Sequence, residues 1–141
     1  MPKAPRPDLA AMLLPLGRTL VDLERPVLDR HGLSMWAYVV LLGLDVEPVY
    51  TQAALAKAIR ADKTRIIPVL DDLQRRELIR REPDPADRRV NLVWLTPAGA
   101  RLREATQHDI QEQEARLLAD LPATDRDTFL RVLRQLSERA R

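Results

Sequence analysis

Four arginines, Arg80, Arg81, Arg88 and Arg89, bracket the segment Pro83-Asp84-Pro85-Ala86-Asp87. A guanidinium is always charged in a protein. It donates paired hydrogen bonds to phosphate and carboxylate oxygens, or to the O6 and N7 edge of guanine. Asp87 stands two residues before Arg89. A carboxylate there can hold the guanidinium in one pose and lower the ordering cost of binding. The plainer reading is a local Asp–Arg pair on a solvated turn, which contributes little. Upstream, Lys63, Thr64 and Arg65 are followed by Ile67 and Pro68. Arg65 is suited to a bidentate guanine contact worth about 1–3 kcal/mol of discrimination. Thr64 suits a phosphate or a base, and Ile67 a thymine methyl. By residue type alone, an ordinary charged surface helix is an equally good account of this cluster.

The charge distribution favours the same region. Between Lys57 and Arg89 there are ten Lys/Arg and seven Asp/Glu, a net of +3, so the rest of the chain sums to −1 of the overall +2. A nucleic-acid surface therefore belongs in this middle stretch. Other chemistries are poorly served. The absence of cysteine excludes disulfides, thiolate metal sites and cysteine redox switching, and fits a cytoplasmic protein. With two histidines in 141 residues, no metal is expected. His108 and Glu112 have helical i,i+4 spacing, but such pairs usually face solvent. No glycine-rich phosphate loop, and no paired carboxylates near a histidine base, can be picked out, so neither enzymatic activity nor a cofactor is expected. The longest apolar stretch, Met35 to Leu44, is broken only by Gly43 and is too short to span a bilayer. Nor is there a basic amphipathic helix with aromatic anchors, so no membrane partner is expected. The segment Met1 to Pro7 lacks a secretory apolar core and reads as a frayed leader.

These residues need elements to position them. Leu9, Met12, Leu13, Leu16, Leu20, Leu23 and Val27 form one face of a first helix, interrupted by Pro15 and Pro26 and stopped at Gly32; the prolines predict a kink or a late start. Ser34 caps a second helix, apolar nearly all round and therefore central, running to about Leu44. Glu47-Pro48 breaks the chain. Thr51 caps a short helix with an apolar stripe of Ala54, Leu55, Ala58 and Ile59, and Gln52 stands beside that cap. After a break at Arg60-Ala61, Asp62 caps a helix to about Arg76 that buries Ile66, Val69, Leu70 and Leu73. Two short helices with a tight break make a helix-turn-helix candidate, and its second helix would present its N-terminal residues to base edges. The period then changes. Leu78 to Arg81 and Val90 to Leu95 read as strands of a β-hairpin, with Val90, Leu92 and Trp94 sharing a face. Thr96-Pro97 starts a long helix to about Asp120, and Thr124 with Asp127 caps a last one. The expected architecture is a single domain over residues 1–141, mainly α with a small hairpin wing, in the order α-α-α-α-β-β-α-α.

Three segments carry a family resemblance: Leu73-Gln74-Arg75-Arg76-Glu77-Leu78-Ile79-Arg80-Arg81, Asp84-Pro85-Ala86-Asp87-Arg88-Arg89, and Leu95-Thr96-Pro97-Ala98-Gly99. In that order and spacing they resemble the signature of MarR-type transcriptional regulators. The resemblance implies a winged helix-turn-helix homodimer that binds double-stranded DNA at a pseudo-palindromic operator, most often as a repressor. It implies that Arg89 enters the minor groove and Asp87 orients it. It also implies a DNA-binding region at 34–96 and a helical dimerisation region at 8–32 and 97–141. The candidate DNA contacts are therefore Thr51, Gln52, Lys63, Thr64, Arg65, Ile67, Pro68, Arg80, Arg81, Asp87, Arg88 and Arg89. Family members often respond to a small aromatic or anionic effector, for which His31, Trp36 and Tyr38 are the candidate lining. The competing placement, Trp36 and Tyr38 in the core and His31 in a surface turn, is the commoner one for such residues. The sequence departs from the family at Glu77, where glycine is usual, and at Pro68, which should remove one backbone hydrogen bond and bend its helix locally. A winged-helix module for protein–protein contact is the rival reading, though it has no need of four arginines around a turn.

Overall fold

The computed structural model describes residues 5–46 and 50–140. The elements are α1 (Leu9–Arg30), α2 (Met35–Gly43), β1 (Tyr50–Thr51), α3 (Gln52–Ala58), α4 (Lys63–Arg75), β2 (Ile79–Asp84), β3 (Asp87–Leu95), α5 (Pro97–Leu117) and α6 (Ala123–Arg139). The mainly helical architecture with a hairpin wing matches the expectation. The break at Glu47-Pro48 lies outside the described residues.

Caps set most of the boundaries. The side chains of Ser34, Thr51, Asp62 and Thr96 accept from the backbone N–H of Ala37, Ala54, Thr64 and Gly99. The last cap is different from the one expected. α6 begins after Pro122 with no side-chain cap, and Thr124 lies inside the helix. The prolines also act less than expected. α1 runs unbroken through Pro15 and Pro26, and α4 through Pro68. Each proline still removes one backbone donor, which leaves the carbonyl of Thr64 without its usual helical partner.

Three helix ends share one geometry. At the ends of α1, α3 and α4 the chain turns through a left-handed residue: Gly32 (φ 68°), Arg60 (φ 55°) and Glu77 (φ 59°). In each, two backbone bonds close the turn, as in Leu78 N–H to Leu73 O at 3.0 Å and Glu77 N–H to Gln74 O at 2.9 Å. This is the Schellman arrangement, normally closed by glycine. Two of the three ends are thus held by side-chain-bearing residues, at about 1–2 kcal/mol of steric cost each.

The core gathers around α2. Val40 and Leu41 meet Leu55 of α3, Leu70 and Leu73 of α4, and Ile79, Val93 and Leu95 of the sheet, all essentially inaccessible. In α3 the buried positions are Leu55 and Ala56, whereas Ala54 and Ala58 are exposed. The expected stripe was rotated, because the helix is too short to fix its face by periodicity. The sheet has three strands in the order β1-β3-β2, one more than expected. β1 is a two-residue antiparallel bridge, Tyr50 to Val93 and Thr51 to Leu92. Val93 and Leu95 point into the core, so the shared face of Val90, Leu92 and Trp94 is the half-buried outer one.

The start of α5 is docked on the end of α4. Thr96 donates through its hydroxyl to Glu77 O at 2.7 Å and through its N–H to Leu78 O at 3.1 Å. Gly99 sits against the same peptide, where an added Cβ would lie 2.0 Å from Leu78 O. Two substitutions should therefore act in opposite directions. Gly99→Ala should cost about 3 kcal/mol, at the upper end for overpacking. Glu77→Gly should stabilise by about 0.5–1 kcal/mol, the left-handed strain less the flexibility of glycine. Urea unfolding of both variants checks the pair, and equal stability of Gly99→Ala and the parent would contradict the docking.

Candidate nucleic-acid interface

Asp62 fixes the first turn of α4, and its carboxyl is held below the usual carboxylate range chiefly by the Thr64 hydrogen bonds. From that start Lys63, Thr64, Arg65, Ile67 and Pro68 are all exposed, while Ile66, Leu70 and Leu73 turn inward. The side chains expected to face DNA thus share the open side of α4. Thr51 is half-buried, because its hydroxyl is used as the cap of α3.

The wing turn is tighter than the sequence suggests. β2 and β3 pair as far as Asp84 opposite Asp87, so Arg88 and Arg89 are strand residues beside a Pro85-Ala86 tip. Asp84 accepts from Ala86 N–H at 2.9 Å and closes the turn. Asp87 accepts from Arg89 three times: from its backbone N–H at 3.1 Å, its Nε at 3.0 Å and its Nη2 at 3.3 Å. These bonds, the side-chain ones first, hold the Asp87 carboxyl below its ordinary pKa. The Arg89 side chain nevertheless remains 90% exposed. It is a guanidinium oriented by Asp87 and open to solvent.

The two halves of the surface meet in a groove of about 300 Å³ lined by Gln52, Ala53, Lys63, Ile66, Arg89, Val90 and Asn91. Gln52 Oε1 is buried there with no partner among the described residues. The groove joins the start of α3, the start of α4 and the wing. Arg80 and Arg81 are not part of it. They line a separate cleft of about 650 Å³ with Arg76, Arg101 and the start of α5. Arg81 donates to Gln74 Oε1 at 2.6 Å and to Asp71, and its side chain is 19% exposed. It acts as a strut between wing and α4 and does not stand open to solvent as Arg88 does. Nothing in the sequence ranked Arg81 below Arg88. Only the strand register and the reach of Asp71 and Gln74 do.

The candidate effector lining is dispersed. Tyr38 is buried in the core, where burial first, and then the charges of Glu24 and Glu114, push its hydroxyl up to about 12 against the opposing effect of Arg103. Trp36 is half-buried. His31 is no free turn residue, since its Nε2 lies 2.7 Å from Asp109 Oδ2. Tyr38 instead marks an acidic junction between α1 and α5. Burial raises the carboxyl pKa of both Glu24 and Glu114, and the Glu114 charge adds to the shift at Glu24. A carboxyl whose folded pKa is raised contributes stability below its unfolded pKa and loses it as pH rises through the folded value. Glu24→Gln should therefore raise the melting temperature at about pH 8 and give a smaller gain near pH 4, around the unfolded glutamate pKa. An equal gain at both pH values in thermal unfolding would show that the carboxylate charge is not what the junction resists.

Comparison with known proteins agrees with this geometry. The MarR family model matches residues 33–90, the span from the α1–α2 turn to just past the wing tip. The HTH-type transcriptional repressor NicR of Pseudomonas putida (strain KT2440) is 33% identical over 99 residues, which cover 70% of this chain and 63% of NicR. A solved structure of MarR superposes with a TM-score of 0.83 at 26% identity, covering 99% of this chain and 95% of that one. CouR from Rhodococcus jostii RHA1, solved bound to p-coumaroyl-CoA, superposes with a TM-score of 0.73 at 27% identity, covering 92% of this chain and 91% of CouR. Motif, fold and winged surface together support a MarR-family winged-helix transcriptional regulator.

Proposed function

We propose that the chain is a homodimeric repressor that reads a pseudo-palindromic operator with the start of α4 in the major groove and Arg89 in the minor groove. The observation that carries this reading is the shared groove. Gln52, Lys63 and Arg89 line one concave surface beside the open side of α4, and Asp87 holds Arg89 extended. Phosphate contacts would position the protein, and Arg65, Thr64 and Ile67 would read base edges beside Pro68. Arg88 would add charge to the wing, and Thr51 would bring the first turn of α3 to the backbone. Repression is supported by the name of the relative NicR.

Dimerisation is supported by uncovered apolar surface. No residue of α6 is buried, and only Val27 and Leu28 of α1 are. Leu13, Leu16, Leu20, Leu117, Phe129, Leu130 and Leu133 surround an apolar hollow of about 610 Å³ between α1, α5 and α6. Apolar surface on that scale on one side of a small protein marks an interface. The division into a dimerisation region, 8–32 with 97–141, and a DNA-binding region, 34–96, follows from it. An effector of aromatic or anionic type is supported by the ligand of CouR. The cleft holding Arg76, Arg80, Arg81 and Arg101 has the charge to take an anion.

Arg89→Ala should weaken operator binding by at least about fivefold, the ~1 kcal/mol lower end for a specific arginine contact, with an unchanged circular dichroism spectrum. Unchanged affinity in that variant, measured by fluorescence anisotropy, removes the wing from the interface. Affinity of the parent should fall by roughly 10³–10⁵ between about 50 and 200 mM salt, as expected for a dimer that neutralises about 6–10 phosphates. A flat salt response would favour the protein-contact rival. Leu130→Glu combined with Leu133→Glu should give monomers in light scattering, and a dimer that survives both changes would place the interface elsewhere.

A further inference from the structure

The expectation of no metal rested on the presence of only two histidines and no cysteine, with His108 and Glu112 read as a solvent-facing helical pair. The fold adds Asp109 to that pair as a third candidate ligand and brings His31 against Asp109. On α5, ligand atoms of His108, Asp109 and Glu112 all lie within 4.8 Å of one another. His108 Nε2 is 3.2 Å from Glu112 Oε1. Two ligands held at about 2.0–2.1 Å from a tetrahedral zinc are separated by about that much. From the turn after α1, His31 Nε2 reaches Asp109 Oδ2 at 2.7 Å. The chain has only two histidines, and the fold brings both to the same acidic turn, although 77 positions of sequence separate them.

We propose that His108, Asp109 and Glu112 form a divalent-cation site of the zinc class, with His31 as the residue that positions Asp109. One imidazole and two carboxylates are a ligand set that zinc accepts, and three protein ligands leave a position for water. A carboxylate has two oxygens, so Asp109 can keep the His31 bond on one and ligate through the other. A histidine bonded to a ligating carboxylate restricts its orientation, and such outer partners tune affinity. The exposure pattern suits these roles. The His31 side chain is 20% exposed and Asp109 35%, whereas His108 and Glu112 are 73% and 57% exposed and open to an arriving ion. The free side of the site faces solvent, and its ordered side is tied to the α1–α2 turn.

The test uses the full chain after removal of any affinity tag, titrated with zinc chloride by isothermal calorimetry, with cobalt(II) absorption to report coordination geometry. The expected result is saturable uptake of one zinc per chain and a cobalt spectrum of low coordination number. His108→Ala and Glu112→Gln should each weaken zinc binding by at least tenfold. Both residues are well exposed, so the variants keep the fold, which the thermal melt verifies. His31→Gln should weaken zinc binding by about tenfold without changing stoichiometry, the lower end for an outer partner. Absence of saturable zinc uptake overturns the site. So does zinc affinity that is unchanged in Asp109→Asn and His31→Gln, because binding would then rest on the helical pair alone.

Discussion

The peptide carbonyls of Glu77 and Leu78 are the constraint on which the interface depends. They end α4, begin β2 and receive the cap of α5 at one point. The left-handed turn at Glu77 aims the chain out of the helix into the wing. The Thr96 hydroxyl and N–H then return the far end of the hairpin to the same two carbonyls, and Gly99 allows α5 to approach within contact of them. Reading helix, wing and long helix are thereby fixed to one another by a few backbone groups and one missing side chain. Arg89 has a fixed place relative to α4 because the hairpin that carries it is closed at its base.

Much of this was legible in the sequence. Ser34, Thr51, Asp62 and Thr96 marked helix starts because a short oxygen side chain before an apolar run has one main use. The Asp-Pro-Ala-Asp-Arg-Arg segment and the Leu-Thr-Pro-Ala-Gly start identified the wing and the helix behind it. The split between Ile66, Leu70 and Leu73 inside and Lys63, Thr64, Arg65 and Ile67 outside held because α4 has enough turns to fix a face, although Val69, expected inside, is only half-buried. Glu77 was visible as an oddity, a long side chain where a left-handed turn is usual, and the turn formed there regardless.

The remainder depended on contacts that local pattern does not encode. β1 is two residues long and exists only because β3 offers it an edge. β3 carries Val90, Leu92 and Trp94 on one face and Val93 and Leu95 on the other, so alternation could not say that Val93 and Leu95 are the inner set. α3, at seven residues, was rotated by a similar ambiguity. α1 tolerates Pro15 and Pro26 because a long helix loses only single hydrogen bonds there. The association of His31 with Asp109 joins positions too far apart for any spacing rule.

Charge is where the distance between sequence and structure matters most for function. A net of +3 over Lys57 to Arg89 treats every cation alike. The fold sorts them. Asp71 engages Arg81, and Asp72 engages Arg75 and Arg76, all by salt bridges in the C-terminal half of α4. Lys63, Arg65, Arg80 and Arg88 have no carboxylate partner among the described residues. Asp87 is the exception among the acids, because it pairs with a cation that it leaves exposed. A carboxylate that screened Arg89 from solvent would lower the attraction for phosphate, whereas one that binds Nε and Nη2 from the side orders the group and leaves its far face free. The acids of this region therefore do two different things. Those on α4 brace the wing and the helix end, and the one at the turn orders an arginine while leaving it exposed.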